Sequence, residues 1–197
     1  MPEPIGVILA GGRGRRIGGA KATVQLRGRP LISYPLAALS AALEDVAVLV
    51  KPDTQLPSLP GVTVWVEPDV PRHPLLGIVR ALGMAEGRAV LVCALDLPFV
   101  TPPLVRRLVD ACAGGAAAAL ACAAGEAQPL LGCYLPQATA PLAEAMRRGE
   151  PAREAAAALA PTLVEVSDPQ ELFNVNAPED LLHAAALLGE DQPNVKS

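Results

Sequence analysis

The chain has 197 residues, 51% of them apolar, and a formal net charge of −4. That length suits one hydrophobic core, because single cores grow to roughly 250 residues before chains split. The acidic balance and the lack of clustered Lys and Arg exclude nucleic acid as the main partner, since gripping a phosphate backbone calls for a basic face.

Apolar runs are broken by Gly, Pro and charges well before the ~20 residues that a membrane-spanning helix needs. The N-terminus enters Ile5–Ala10 with no basic region of the secretory kind. Both features predict a cytoplasmic protein that does not engage a membrane. Cys93, Cys112, Cys122 and Cys133 form no C-x-x-C pair and lie near no His at ligand spacing, so they read as small apolar residues in a reducing compartment. Lys occurs only at Lys21, Lys51 and Lys196 in a chain that otherwise uses Arg. Each Lys therefore invites a role that needs a compact point charge.

In chain order, Ile5–Ala10 reads as a short buried strand that runs into a Gly- and Arg-rich loop, residues 11–19. Residues 30–43 have helical spacing. Val46–Val50 and Val62–Val66 are apolar, β-branched strands. Residues 75–84 read as a helix and Ala89–Ala94 as a fourth buried strand. Thr101 caps a helix with Pro in its first turn that runs to Cys112. Uninterrupted apolar strands fit parallel strands covered on both faces, and strand–helix alternation predicts an open α/β sheet. In the second half, residues 116–122, 130–134 and 163–166 are strand candidates. Residues 138–148 and 153–159 are Ala-rich helices. A last helix is expected with Asn176 as cap, Glu179 completing a capping box and Gly189 ending it, followed by a polar tail over 190–197.

The most informative segment is Leu9-Ala10-Gly11-Gly12-Arg13-Gly14-Arg15-Arg16-Ile17-Gly18-Gly19-Ala20-Lys21. Glycines let a backbone approach a ligand closely and turn its N–H groups toward an anion. The Arg residues and Lys21 supply charge that a polyphosphate would neutralise. It is not the dinucleotide fingerprint, because Ile17 stands where the third Gly belongs. Nor is it a Walker loop, because Lys21 lies between Ala20 and Ala22. Ligands in open α/β sheets sit beyond the carboxyl ends of strands, which favours a nucleotide-phosphate loop over a solvated turn.

Two further strands end in carboxylates. Residues 89–95 run into Asp96-Leu97-Pro98, where an unpaired charge is poorly explained by packing and well explained by Mg²⁺. Val64–Val66 runs into Glu67-Pro68-Asp69.

The loop resembles the signature of the molybdenum cofactor guanylyltransferases and, more broadly, of nucleotidyltransferases that activate sugar phosphates and related compounds. Phe173-Asn174-Val175-Asn176-Ala177-Pro178-Glu179-Asp180-Leu181 is similar to that family's Asn-x-Asn-(Thr/Ala)-Pro-Glu-(Glu/Asp)-Leu segment. The resemblance implies a single-domain, Rossmann-like three-layer sandwich over residues 1–189, with a nucleotide-binding first half and an acceptor-binding second half. It implies Leu9, Ala10, Gly11, Gly12, Lys21, Asp69 and Asp96 as nucleotide contacts, Glu67 being the rival to Asp69. Asp96 is implied as the Mg²⁺ ligand, and Lys21 and Arg16 as stabilisers of the leaving pyrophosphate. Asn174, Asn176 and Gln128 fall on the acceptor side. Lys51 reads either as a phosphate contact or as a solvated loop residue. His73 stands where the family usually has Gly, and no chemistry is assigned to it.

The implied reaction joins GTP to molybdenum-bearing molybdopterin and releases pyrophosphate, with transient contact to molybdoenzymes or cofactor-handling proteins. The alternatives are a cytidylyltransferase for the same cofactor, a sugar-phosphate nucleotidyltransferase, and a non-catalytic nucleotide-binding protein.

Overall fold

The computed structural model describes residues 2–11, 20–70 and 73–190. In chain order the elements are β1 (Ile5–Leu9), β2 (Gln25–Leu26), β3 (Arg29–Pro30), α1 (Ser33–Ser40), β4 (Val46–Val50), β5 (Thr63–Val66), α2 (Pro74–Met84), β6 (Val90–Ala94), α3 (Pro102–Cys112), β7 (Ala118–Ala123), β8 (Glu126–Tyr134), α4 (Thr139–Arg148), α5 (Ala152–Ala157), β9 (Thr162–Glu165) and α6 (Pro178–Glu190).

The main sheet has seven strands in the order β5-β4-β1-β6-β8-β7-β9. Only β8 runs against the rest: its pairings with β6 and β7 are antiparallel, and all the others are parallel. The expected α/β architecture with a mostly parallel sheet is thus the observed one. Alternate residues of β6 serve opposite layers, as a pleated strand requires. Leu91 and Cys93 join the core beneath α1, α3 and α6, whereas Val90 and Val92 join the core beneath α2, α4 and α5. Because both faces are covered, the strands read as continuous apolar runs. Fully burying each Leu or Val contributes about 1.5–3 kcal/mol.

Strand order reverses direction at β1, whose neighbours β4 and β6 are reached by crossovers on opposite sides. That is the switch point at which open α/β sheets present a crevice beyond the strand ends.

Four sequence expectations shift. The helix expected from residue 30 starts at Ser33, because Arg29 and Pro30 pair with Gln25 and Leu26 in a small hairpin. Its two-residue turn has Arg27 at φ 48° and Gly28 at φ 77°, the geometry that two-residue hairpin loops favour. β8 begins at Glu126, earlier than expected. The capping box of α6 lies one residue later than expected. Asp180 Oδ2 reaches back to accept from the N–H groups of Asn176 (2.8 Å) and Ala177 (2.9 Å), while the Asn176 side chain is engaged elsewhere. Finally, α6 runs through Gly189 to Glu190. The rest of the expected polar tail, residues 191–197, lies outside the described residues.

All four cysteines are free and buried, as expected of apolar packing residues. Burial pushes the Cys122 thiol up to about 11, with Glu165 beside it adding to the shift. Among the described residues no helix is long and apolar enough to cross a membrane.

Candidate active site

A cavity of about 540 Å³ opens beyond the carboxyl ends of β1, β4, β5 and β6. β1 contributes Leu9 and Gly11, and β6 contributes Ala94, Leu95 and Asp96. The backbone at the strand ends is spliced: Leu95 N–H donates to Leu9 O (3.3 Å) and Val175 N–H to Asp96 O (2.9 Å). Asp96 is therefore held between the central strand and the segment that carries the two Asn residues.

Lys21 sits on a 3-10 turn, Lys21–Thr23, and is buried. Its Nζ donates to Asp96 Oδ2 and to Asn176 Oδ1, each at 2.7 Å. Asp96 Oδ1 is buried and has no hydrogen-bond partner among the described residues. A buried carboxylate oxygen without a partner costs free energy, so the geometry is poised for a further positive ligand.

A second pair repeats the arrangement. Lys51 Nζ lies 3.1 Å from Glu67 Oε1 and also donates to Pro68 O (2.5 Å). Glu67 Oε2, like Asp96 Oδ1, is buried without a partner among the described residues. Glu67 extends the ladder of β5 by one bond, its N–H donating to Val50 O (2.8 Å). Gly11 lies against this pair: a Cβ there would meet Glu67 Oε1 at 2.6 Å and Lys51 Cγ at 3.2 Å. A side chain at residue 11 would require the Glu67 carboxylate or the Lys51 stem to move.

The match to known proteins follows this geometry. The model of the MobA-like NTP transferase domain matches residues 6–165.

The chain belongs to the MobA-like NTP transferase family.

A molybdenum cofactor guanylyltransferase from Cereibacter sphaeroides is 36% identical over 192 residues, covering 94% of this chain and 97% of that protein. One from Rhodobacter capsulatus is 36% identical over 199 residues, covering 95% and 98%. The fold is shared with molybdopterin-guanine dinucleotide biosynthesis protein A from Archaeoglobus fulgidus at a TM-score of 0.74 and 24% identity, covering 94% of this chain and 99% of that one.

Within this family frame, the structure brings most of the sequence-selected residues to one cavity. Leu9, Gly11, Lys21, Asp69, Asp96, Gln128 and Asn174 all line it. Asn176 reaches it through Lys21. Ala10 does not line it: its side chain is buried in the core and its N–H donates to Leu49 O (2.8 Å). Gly12 and Arg16 lie outside the described residues.

Gln128 and Leu130 reach the cavity because of a bulge. Leu120 of β7 pairs with Gly132, but the next residue, Ala121, pairs with Gln128, so Pro129–Leu131 leaves the β7–β8 ladder while Leu131 still pairs with Cys93 of β6. Such bulges re-aim side chains at sheet edges and sites. The buried Tyr134 hydroxyl donates to Pro129 O (2.7 Å) and fixes it. Asn174 Nδ2 donates to Leu172 O (3.1 Å), which leaves its Oδ1 as an acceptor.

Glu67, Lys51 and His73, to which the sequence assigned no settled role, line the same cavity. Glu67 is buried where Asp69 is only half-buried. The signal was present in the period of two: Trp65 and Glu67 share the face of β5 that turns inward, and Val64 and Val66 are exposed. Lys51, half-buried in the cavity lining, is the counter-ion of Glu67.

Proposed function

We propose that this chain transfers GMP from GTP to molybdenum-bearing molybdopterin, releasing pyrophosphate and forming the guanine dinucleotide of the cofactor. Its nearly full-length likeness to molybdenum cofactor guanylyltransferases supports the activity. The observation that carries the reading is Asp96 in the cavity lining at the switch point, with Lys21 on one carboxylate oxygen and the other buried with no hydrogen-bond partner among the described residues.

The acceptor's terminal phosphate is mostly ionised at pH 7, its second pKa being about 6, so it needs no general base. One of its oxygens bonds to the α-phosphorus in line. The bond from that phosphorus to the β-bridging oxygen breaks, and pyrophosphate leaves with the electron pair. The residues' work is positioning and neutralising charge. Lys21 holds Asp96 and Asn176 together and supports the phosphates, with Arg16 assigned to the leaving group. Leu9 and Gly11 border the nucleotide, and Gly12 is assigned to the same role by the family resemblance. Gln128, Asn174 and Asn176 face the acceptor.

The bare Asp96 Oδ1 fits a divalent cation. Among the described residues no cluster of three or more His, Cys, Asp or Glu could hold a metal by itself. That suits Mg²⁺, which takes one or two carboxylates and fills its shell with water and substrate phosphates. Bound there, Mg²⁺ would shield phosphate charge and align the reacting groups.

Glu67, rather than Asp69, is the second acidic contact in this reading. Its bare Oε2 can only accept, and guanine offers adjacent N1–H and N2–H₂ donors where cytosine offers one amino group. The proposed protein is cytoplasmic, works as one domain over residues 1–189, and hands its product to a molybdoenzyme or cofactor-handling protein.

Labelled GTP and CTP, each offered with the molybdenum cofactor and Mg²⁺, test the proposal. Label should enter product from GTP only. Product from CTP alone would make the chain a cytidylyltransferase, and product from neither would leave it a binding protein. Asp96→Ala should stay folded by circular dichroism yet lose turnover by more than about 100-fold, the scale of removing one electrostatic stabiliser.

A further inference from the structure

The start of α2 forms one wall of the cavity through His73, Pro74 and Gly77. Gly77 packs against Leu9, a Cβ there meeting the Leu9 methyls at 3.1 Å. This turn and Leu9 therefore form one packed stretch of the cavity lining. The turn itself carries no charge, so its position depends on what holds it.

His73 holds it from two sides. As the residue preceding the first turn, it takes extended geometry (φ −134°, ψ 138°), and its Nδ1 accepts from Leu75 N–H at 3.1 Å. Its Nε2 lies 2.9 Å from Glu150 O. An amide N–H only donates and a carbonyl only accepts. The ring is therefore the neutral tautomer with its proton on Nε2, and both nitrogens are committed. The Glu150 carbonyl is itself rigidly presented. α4 ends at Gly149 (φ 72°), with Gly149 N–H bonded to Met146 O (3.1 Å) and Glu150 N–H to Ala145 O (3.0 Å). That is the Schellman arrangement, which fixes the direction of the chain leaving a helix.

We infer that His73 is a positioning residue for the nucleotide. It ties the first turn of α2 to the end of α4, and so fixes the cleft wall that this turn builds together with Leu9. It touches no reacting atom. The wall lies on the Leu9 and Gly11 side, so a shift in it weakens ground state and transition state alike. Such a loss appears in KM and not in kcat.

The inference rests on the nucleotidyl-transfer reading, and three proteins separate the two. His73→Ala loses both bonds. His73→Asn keeps an N-cap acceptor, Asn being among the best capping residues, but is too short to reach Glu150. The expected result is a KM for GTP raised about tenfold in both variants, equal to about 1.4 kcal/mol, with kcat within twofold of the parent. Melting temperature should fall in the Ala variant and recover in the Asn variant. If Asn restores KM along with the melting temperature, His73 is merely a helix cap and the inference fails. It fails equally if Ala leaves KM unchanged. Absence of turnover in the parent protein would instead sink the functional reading. Nitrogen-15 spectra of the parent give a readout independent of activity, and only two His are present, His73 and His183. His73 should show the Nε2–H tautomer at neutral pH, and an Nδ1–H tautomer would overturn the assignment.

Discussion

Asp96 and Glu67 are each held by one Lys on one carboxylate oxygen and left bare on the other. Glu67→Gln keeps the shape but replaces one acceptor with a donor and strips Lys51 of its charge partner. We expect KM for GTP to rise by 10-fold or more, since a buried hydrogen bond to a charged group is worth about 1.5–3 kcal/mol. Asp69→Asn should change it less than threefold. The reverse ranking, in steady-state kinetics, would restore Asp69 as the acidic contact. At the far edge of the sheet, the exposed Glu165 accepts from Cys122 Sγ–H (3.1 Å) and Ala124 N–H (2.8 Å). Those bonds, the thiol's first, hold its carboxyl below the usual value. A carboxyl lowered on folding adds stability above its unfolded pKa and loses it as pH falls through the folded one. Glu165→Gln should therefore flatten the acid side of the stability curve, from the ordinary carboxylate range downward, in pH-dependent urea melts.

The element with the tightest local demand is the β7–β8 bulge. A Cβ at Gly132 would come within 2.7 Å of Ala119 O and 2.5 Å of Leu120 Cδ2. The first of these is backbone and cannot rotate away. Gly132→Ala should cost about 1–3 kcal/mol, in line with overpacking, and should also disturb Gln128 and Leu130. Denaturant unfolding measures the first effect and KM for the acceptor the second. At α6, Asp180→Ala removes the carboxylate that satisfies two N–H groups and should cost about 1 kcal/mol. Much of this element level was legible in the sequence. Thr101 and Pro102 start α3 as their residue types require, Thr101 Oγ1 accepting from Leu104 N–H. The β2–β3 hairpin was not legible, because Arg27 takes a left-handed conformation that its residue type does not advertise.

For the whole molecule, the site is a seam between distant parts of the chain. Lys21 bonds to Asp96, 75 positions away, and to Asn176, 155 positions away. A ligand that satisfies the two bare oxygens stabilises the folded state by mass action. Mg²⁺ and GTP at about 100 times Kd should add about 2.7 kcal/mol. That is roughly a 5–10 °C rise in melting temperature for a chain of this size. Chelating the metal should remove most of the rise, and Asp96→Asn should show little of it. A full rise from GTP in chelator would count against the metal assignment at Asp96.

The sequence by itself determined the fold class and pointed to the residues that gather at the candidate site. Continuous apolar strands have to be covered on both faces, and a carboxylate at the end of such a strand has to meet positive charge. Asp96, Lys21, Asn174 and Gln128 were legible on those grounds, together with the family signature. Only the tertiary structure showed the burial of Glu67 beside the half-buried Asp69, the pairing of Lys51, and the two bonds of His73. Each of those depends on the direction of a side chain leaving a strand end or loop. Partners far along the chain set that direction: Gly11 for Glu67, Pro68 and Glu67 for Lys51, and the carbonyl of Glu150 for His73.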